Sequence, residues 1–222
     1  MDSHLEYTLN WFNIPEERID IRKVNNVYLY GSLNYETNTE KSDYDYIIVY
    51  DQENDISDTL TTHNCGVVMN ATLMSPSYFQ RRLEENCIDV MECFFLREDY
   101  KFETMEFNFT LDLDKLRRQI SAVCSNSFVK CKKKMEQGDD YIGKKSLFHS
   151  LRIADFGIQI AKFGKIVDYT KPQSETLKYD TFKELLDEVM SYTTWNELKD
   201  KYQVIANNLR TEFRIVAPLK ED

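Results

Sequence analysis

Tyr30-Gly31-Ser32, then ten residues, then Asp43-Tyr44-Asp45-Tyr46-Ile47-Ile48-Val49 is the stretch on which the reading of this sequence turns. Val27-Tyr28-Leu29-Tyr30 reads as a short strand ending at Gly31-Ser32. Tyr44 to Tyr50 reads as a second strand after a polar loop from Leu33 to Ser42. Side chains alternate along a strand, so Asp43 and Asp45 share one face while Tyr44 and Tyr46 take the other. Two carboxylates this close repel, and a divalent cation removes that cost. Mg2+ prefers carboxylate oxygens, needs one or two from protein, and completes its shell with phosphate oxygens and water. The ion can then bridge a triphosphate and neutralise charge that develops during in-line displacement. Gly31 lets the backbone approach a phosphate, and the amide and hydroxyl of Ser32 can donate to it. Each piece alone is commonplace, since Asp-x-Asp on a strand also makes an ordinary polar face. At this spacing, on two adjacent strands, the pieces make one site.

Outward from that stretch, Leu5, Leu9 and Phe12 carry helical spacing through the first twenty-odd residues. Residues 51–64 are polar and turn-like, Cys65 to Met74 reads as a third strand, and Ser75 caps a helix through Glu85. Ile88 to Leu96 is apolar enough to be buried, with its type left open. Beyond Tyr100 the pattern turns helical: Leu111 to Lys134, closing near Gly138; Tyr141 to Phe163, capped by Asp139-Asp140 and stopped by Gly164; then 180–192 and 194–213. The expected organisation is a mixed α/β region over 1–105 and a helical domain over 106–222.

The chain has 222 residues, 42% hydrophobic and 13% aromatic, enough for a substantial core. No apolar run approaches a membrane span, and Met1 to Asn10 lacks the layout of a signal peptide. Cys65, Cys87, Cys93, Cys124 and Cys131 form no CxxC pair and are odd in number, which reads as reduced thiols of a cytoplasmic or nuclear protein. A net charge of −10 disfavours non-specific nucleic-acid binding, yet Lys115 to Lys165 carries +8 and the remainder −18. That basic middle is either a local site for an anion, a triphosphate or a short stretch of RNA, or a solvated helical surface. On the helix from Tyr141 to Phe163, Leu147, Leu151, Ala154, Ile158 and Ala161 form a core stripe. Lys145, His149 and Arg152 lie roughly opposite it. Lys130, Lys132, Lys133 and Lys134 are either an RNA contact or a lysine-rich helix end favoured by the helix dipole.

The combination of hydrophobic-Gly-Ser, a spacer of about ten and Asp-hydrophobic-Asp-hydrophobic resembles the signature of polymerase-β-superfamily nucleotidyltransferases. Within that superfamily the chain is similar to the small group named for RNA-repair-pathway enzymes. Two further segments carry this: Val90-Met91-Glu92-Cys93-Phe94-Phe95, and Lys144-Lys145-Ser146-Leu147-Phe148-His149-Ser150-Leu151-Arg152 ahead of Phe163-Gly164-Lys165-Ile166. The resemblance spans residues 27–166 and implies an α+β fold: a palm-like mixed sheet with helices, followed by a C-terminal helical bundle. It implies NTP as donor, Mg2+ or Mn2+ as cofactor, and an RNA end, tRNA-like or nicked, as acceptor. Carried over by position, Gly31, Ser32 and Ser42 hold the donor nucleotide, Asp43 and Asp45 bind metal, and Lys145, His149 and Arg152 face the cleft, with Lys144 beside them. The superfamily's usual third carboxylate falls on Asn70, a neutral side chain that cannot serve as a general base. Either another acid such as Glu92 takes the role, or a second metal is weak, or the protein binds nucleotide without efficient transfer. A protein or small-molecule hydroxyl is the rival acceptor.

Overall fold

The fold is given by a computed structural model that describes residues 19–40, 42–56, 59–64 and 67–219. The helix expected around Leu5, Leu9 and Phe12 lies outside the described residues. The chain divides into two compact units. The first runs to Asn34 and takes in Asn38–Glu84 and Asp89–Thr110. The second comprises Tyr35–Thr37, Glu85–Ile88 and the chain from Leu111 onward. Among the described residues, no helix is long and apolar enough to cross a membrane.

The first unit is built on five strands, β1 (Val24–Tyr30), β2 (Tyr44–Tyr50), β3 (Leu60–Asn64), β4 (Val67–Met74) and β5 (Lys101–Glu103), in the order β3-β4-β2-β1-β5. β2 and β4 run parallel, and the other neighbours are antiparallel. Alternation sorts the side chains as the sequence requires. Val24, Val27, Tyr46, Ile48, Met69, Ala71 and Leu73 gather with Ile19 in one buried cluster. On β1 the intervening Tyr28 stacks on Phe79 at 5.4 Å, and Phe79 belongs to helix α1 (Pro76–Glu84). The Ser75 hydroxyl accepts the Tyr78 N–H at 3.2 Å and caps that helix, with Pro76 in the first position, where its missing N–H costs nothing. Ile88–Leu96, whose type the sequence left open, contains helix α2 (Ile88–Phe94), with Val90, Met91 and Cys93 fully buried.

The turn-like reading of 51–64 is corrected in part, because Leu60–Asn64 is strand β3. It lies at the sheet edge, where polar and β-branched side chains are tolerated, and that polarity disguised it. The three-residue β5 is too short to signal itself. Buried Asn26 fastens the chain beyond it: its carbonyl accepts the Thr104 and Met105 N–H groups at 3.0 and 2.9 Å, and its amide donates to the Met105 carbonyl at 2.8 Å.

The second unit contains α3 (Leu113–Glu136), α4 (Asp140–Phe163), α5 (Phe182–Ser191) and α6 (Trp195–Val216). Asp112 caps α3 by accepting from Asp114 and Lys115, and Thr194 with Glu197 forms a capping box on α6. Gly164 ends α4 at φ +74°. Helix α4 is the core element. Apart from His149, every residue from Ser146 to Ile160 is buried, so there is no solvated face there. Helices α3 and α4 approach closely enough that a Cβ on Gly157 would stand 2.9 Å from Ile120.

The basic face expected opposite the core stripe of α4 is therefore corrected. Arg152 is 2% exposed, with its guanidinium 3.7 Å from the Tyr35 ring centroid and 4.8 Å from that of Phe156, so stacking offsets part of its desolvation. The buried polar groups of α4 face inward for a structural reason. Asp155 accepts the backbone N–H groups of Gln173 and Ser174, at 2.9 and 2.7 Å, and Gln159 accepts those of Val167 and Asp168. Among the described residues, Cys87, Cys93, Cys124 and Cys131 are buried free thiols, and burial pushes the Cys131 thiol up to about 12.

Two stability effects follow. Asn26→Leu leaves the Met105 N–H and carbonyl unpaired, and should cost about 2–3 kcal/mol, read as a lower urea midpoint at unchanged m-value. Burial, followed by the charges of Arg152, Lys145 and Lys130, lowers the His149 imidazole from 6.5 to about 3. Its folded-state pKa is depressed, so its contribution is complete above pH 6.5 and is lost as pH falls toward 3, where the unfolded chain takes the proton first. Urea midpoints at about pH 7 and about pH 5 should thus fall more steeply in the wild type than in His149→Gln. Equal slopes would contradict the assignment.

Candidate active site

Sheet register builds the candidate site within the first unit. Asp45 pairs with Tyr30 of β1 on one side and with Asn70 of β4 on the other. Asp43, just ahead of β2, lies on the same side of the backbone, as alternation demands. The two carboxylates converge on one group. The Asn70 amide nitrogen donates to Asp45 Oδ1 at 3.1 Å and to Asp43 Oδ2 at 3.3 Å. Asp43 is exposed and Asp45 half-buried.

Gly31 ends β1 at φ +84°, a conformation that side chains resist. A Cβ there would stand 2.8 Å from Asp45 Oδ2, so the glycine both turns the chain and leaves space for the carboxylate. The following turn is closed by the Asn34 N–H on the Gly31 carbonyl at 3.1 Å, and the Asn34 amide donates to the Leu29 carbonyl at 2.8 Å. Ser32, half-buried, sits within this turn. Ser42 closes a second turn: its hydroxyl accepts the Thr39 N–H at 2.8 Å, and its own N–H reaches the Thr39 carbonyl at 3.0 Å. The Ser42 hydroxyl is thus already engaged in shaping the approach to Asp43.

Asn70, which the family resemblance puts at a third ligand position, lies opposite Asp45 in the β2–β4 ladder and presents nitrogen to the acids. Ionised carboxylates only accept hydrogen bonds, so the amide must show them its donor side. Its oxygen is turned instead to Thr61 on β3, whose hydroxyl donates to it at 2.9 Å. Thr61 was missed because its segment read as a turn. The β-branched threonines at 59, 61 and 62 were the available signal.

A cleft of about 410 Å³ opens here, lined by Tyr30, Asp45, Ile47, Asn70 and Thr72 together with Asp89. Asp89 replaces Glu92 as the further acid of the cleft. Glu92, three residues on along α2, is 1% exposed and does not line it. Both oxygens of Asp89 accept from Arg82, at 2.7 and 2.8 Å, so this carboxylate arrives already paired.

Asp43 and Asp45 together fit Mg2+ or Mn2+, since two hard oxygen donors from protein suffice for such an ion when phosphate and water supply the rest. Among the described residues no group of three His, Cys, Asp or Glu could enclose an ion. An ion here would draw the rest of its ligands from substrate and water.

Lys144, Lys145, His149 and Arg152 belong to α4 of the second unit. Lys144 donates to the Met190 carbonyl at 3.3 Å, and Lys145 lies 5.9 Å from the Tyr141 ring centroid. His149 is neutral near pH 7 and adds no charge.

Residues 13–112 match the family described as nucleotidyltransferase domain. No curated protein is a match. Among solved structures the chain is similar to a nucleotidyltransferase-like protein from Exiguobacterium sibiricum 255-15, with 13% identity, TM-score 0.33, and coverage of 91% of this chain and 72% of that one. It is also similar to an aminoglycoside 6-adenyltransferase from Bacillus subtilis, with 12% identity, TM-score 0.31, and coverage of 97% and 90%. Likenesses this faint fix neither substrate nor mechanism. The family match and the mixed five-stranded sheet, with Asp45 on β2 and Asp43 just ahead of it, are consistent with one another. The chain has an α+β fold, consistent with a polymerase-β-like nucleotidyltransferase domain over residues 13–112.

Proposed function

We propose that the protein transfers a nucleoside monophosphate from an NTP to an RNA end, with Asp43 and Asp45 as the residues that hold Mg2+ or Mn2+. The observation that carries this reading is the convergence of both carboxylates on the Asn70 amide, beside the Gly31 turn. When bound, the cation supplies charge neutralisation for the triphosphate. The protein's own groups do the rest. The Gly31-Ser32 turn lets backbone approach the donor phosphates, and the cleft beside Asp45 admits the reacting ends. RNA as acceptor is supported by the resemblance to RNA-repair-pathway enzymes and by the lysines of α3. Lys130, Lys132 and Lys133 are exposed there, whereas Lys134 is held by Asp139 at 3.0 Å.

A second reading has one specific observation in its favour. Position 70 carries no carboxylate, and both Asp89 oxygens are taken by Arg82, so no unpaired acid faces the acceptor from either position. A site of that kind binds NTP and transfers slowly or not at all.

The readings separate in one assay with each α-phosphate-labelled NTP, Mg2+ or Mn2+ and a pool of small RNAs. Wild type should label RNA, and Asp43→Ala/Asp45→Ala should lower the rate by at least about a hundredfold. Undiminished labelling by the double variant would overturn the assignment of the acid pair. NTP binding without transfer, with transfer appearing in Asn70→Asp, would establish the second reading. Label on a protein or small-molecule hydroxyl would move the acceptor away from RNA.

A further inference from the structure

Asn70 occupies the point where the three donor-bearing strands of the cleft meet, and its two ends face chemically different partners. The nitrogen meets two groups that can only accept, Asp43 and Asp45. The oxygen meets the Thr61 hydroxyl, which can both donate and accept. This asymmetry has a consequence when a cation lies against the carboxylates. The ion takes over the neutralisation that the amide provided, and it repels the N–H2 group while attracting a carbonyl oxygen. A half-turn of the amide about χ2 exchanges the two ends. The torsion is broad and roughly two-fold, so the turned state carries little rotamer strain. In that state the Asn70 oxygen faces the cation, and the N–H2 group donates to the Thr61 oxygen, which accepts as readily as it donated. No hydrogen bond to Thr61 is lost in either orientation.

We infer that Asn70 is a positioning residue with two settings, nitrogen toward Asp43 and Asp45 without a cation and oxygen toward them with one, and that Thr61 is its partner in both. This rests on the metal-holding role of the acid pair given under Proposed function. It explains an amide at this place: a carboxylate at position 70 would add a third negative charge to an ion-free cleft, whereas an amide relieves the repulsion between the other two. Position 61 correspondingly needs a hydroxyl. Valine, similar in shape, supports neither setting.

Side-chain amide NMR reads the orientation directly on the full-length protein. The Asn70 N–H2 pair is assigned by its absence from the spectrum of Asn70→Asp. Without a divalent ion its protons should show NOEs to the Asp45 β protons. Saturation with Mg2+ should replace these with NOEs to the Thr61 β proton, while an equal ionic strength of KCl should change nothing. Thr61→Ser should keep this exchange. Mg2+-dependent shifts at Asp43 and Asp45 with the Asn70 NOEs unchanged would overturn the two-setting inference and leave the metal role standing. Absence of any Mg2+-dependent shift at Asp43 and Asp45 would overturn the metal role and the inference with it.

Discussion

Repulsion between Asp43 and Asp45 is the constraint around which the first unit is arranged. Two like charges on one face of a strand are unfavourable until something positive, or a strong donor dipole, is placed between them. That donor is the Asn70 amide, which reaches both acids within hydrogen-bond distance. Everything needed to bring the amide there is set by the sheet. Parallel pairing of β2 with β4 puts residue 70 opposite residue 45, and antiparallel pairing of β3 with β4 puts residue 61 opposite residue 70. A register slip of one residue in either ladder would turn the partner to the other face and leave the acids unrelieved.

The same argument explains why the cleft and the core occupy different faces of one sheet. Alternation sends Ile48 into the buried cluster and leaves Asp45 and Ile47 on the cleft side, so one strand serves stability and chemistry together. Gly31 sits where these demands meet. Its positive φ turns the chain out of β1, and its lack of a side chain gives Asp45 Oδ2 its place. In the second unit, polar groups follow a different logic. Asp155 and Gln159 hold the backbone between α4 and α5, which is what buried carboxyl and amide groups in a central helix are needed for.

Much of this was legible in the sequence, and the reasons are physical. The Gly-Ser turn and the period-two placement of the acids depend on local geometry and strand alternation, which the chain carries in itself, whereas Asn70 was singled out through the family resemblance. Helices with side-chain caps, such as those begun at Ser75, Asp112 and Thr194, were bounded to within a few residues. What escaped depends on tertiary partners. Edge strand β3 has the polarity of a loop because one of its sides faces solvent, so Thr61 went unseen. Glu92 and Asp89 are three apart on α2, and only packing decides that Asp89 lines the cleft while Glu92 is buried. Arg152 has the spacing of a solvated face, yet Tyr35 and Phe156 cover it. Side-chain period on a helix reveals a surface only when one side of that helix is exposed, and α4 is enclosed.

The most direct test of the central claim is anomalous diffraction from crystals soaked in MnCl2, since Mn2+ is seen by its own scattering and independently of turnover. The account predicts a Mn2+ peak within coordination distance of both Asp43 and Asp45, absent from Asp43→Ala/Asp45→Ala crystals. A peak elsewhere with none at this pair would contradict it.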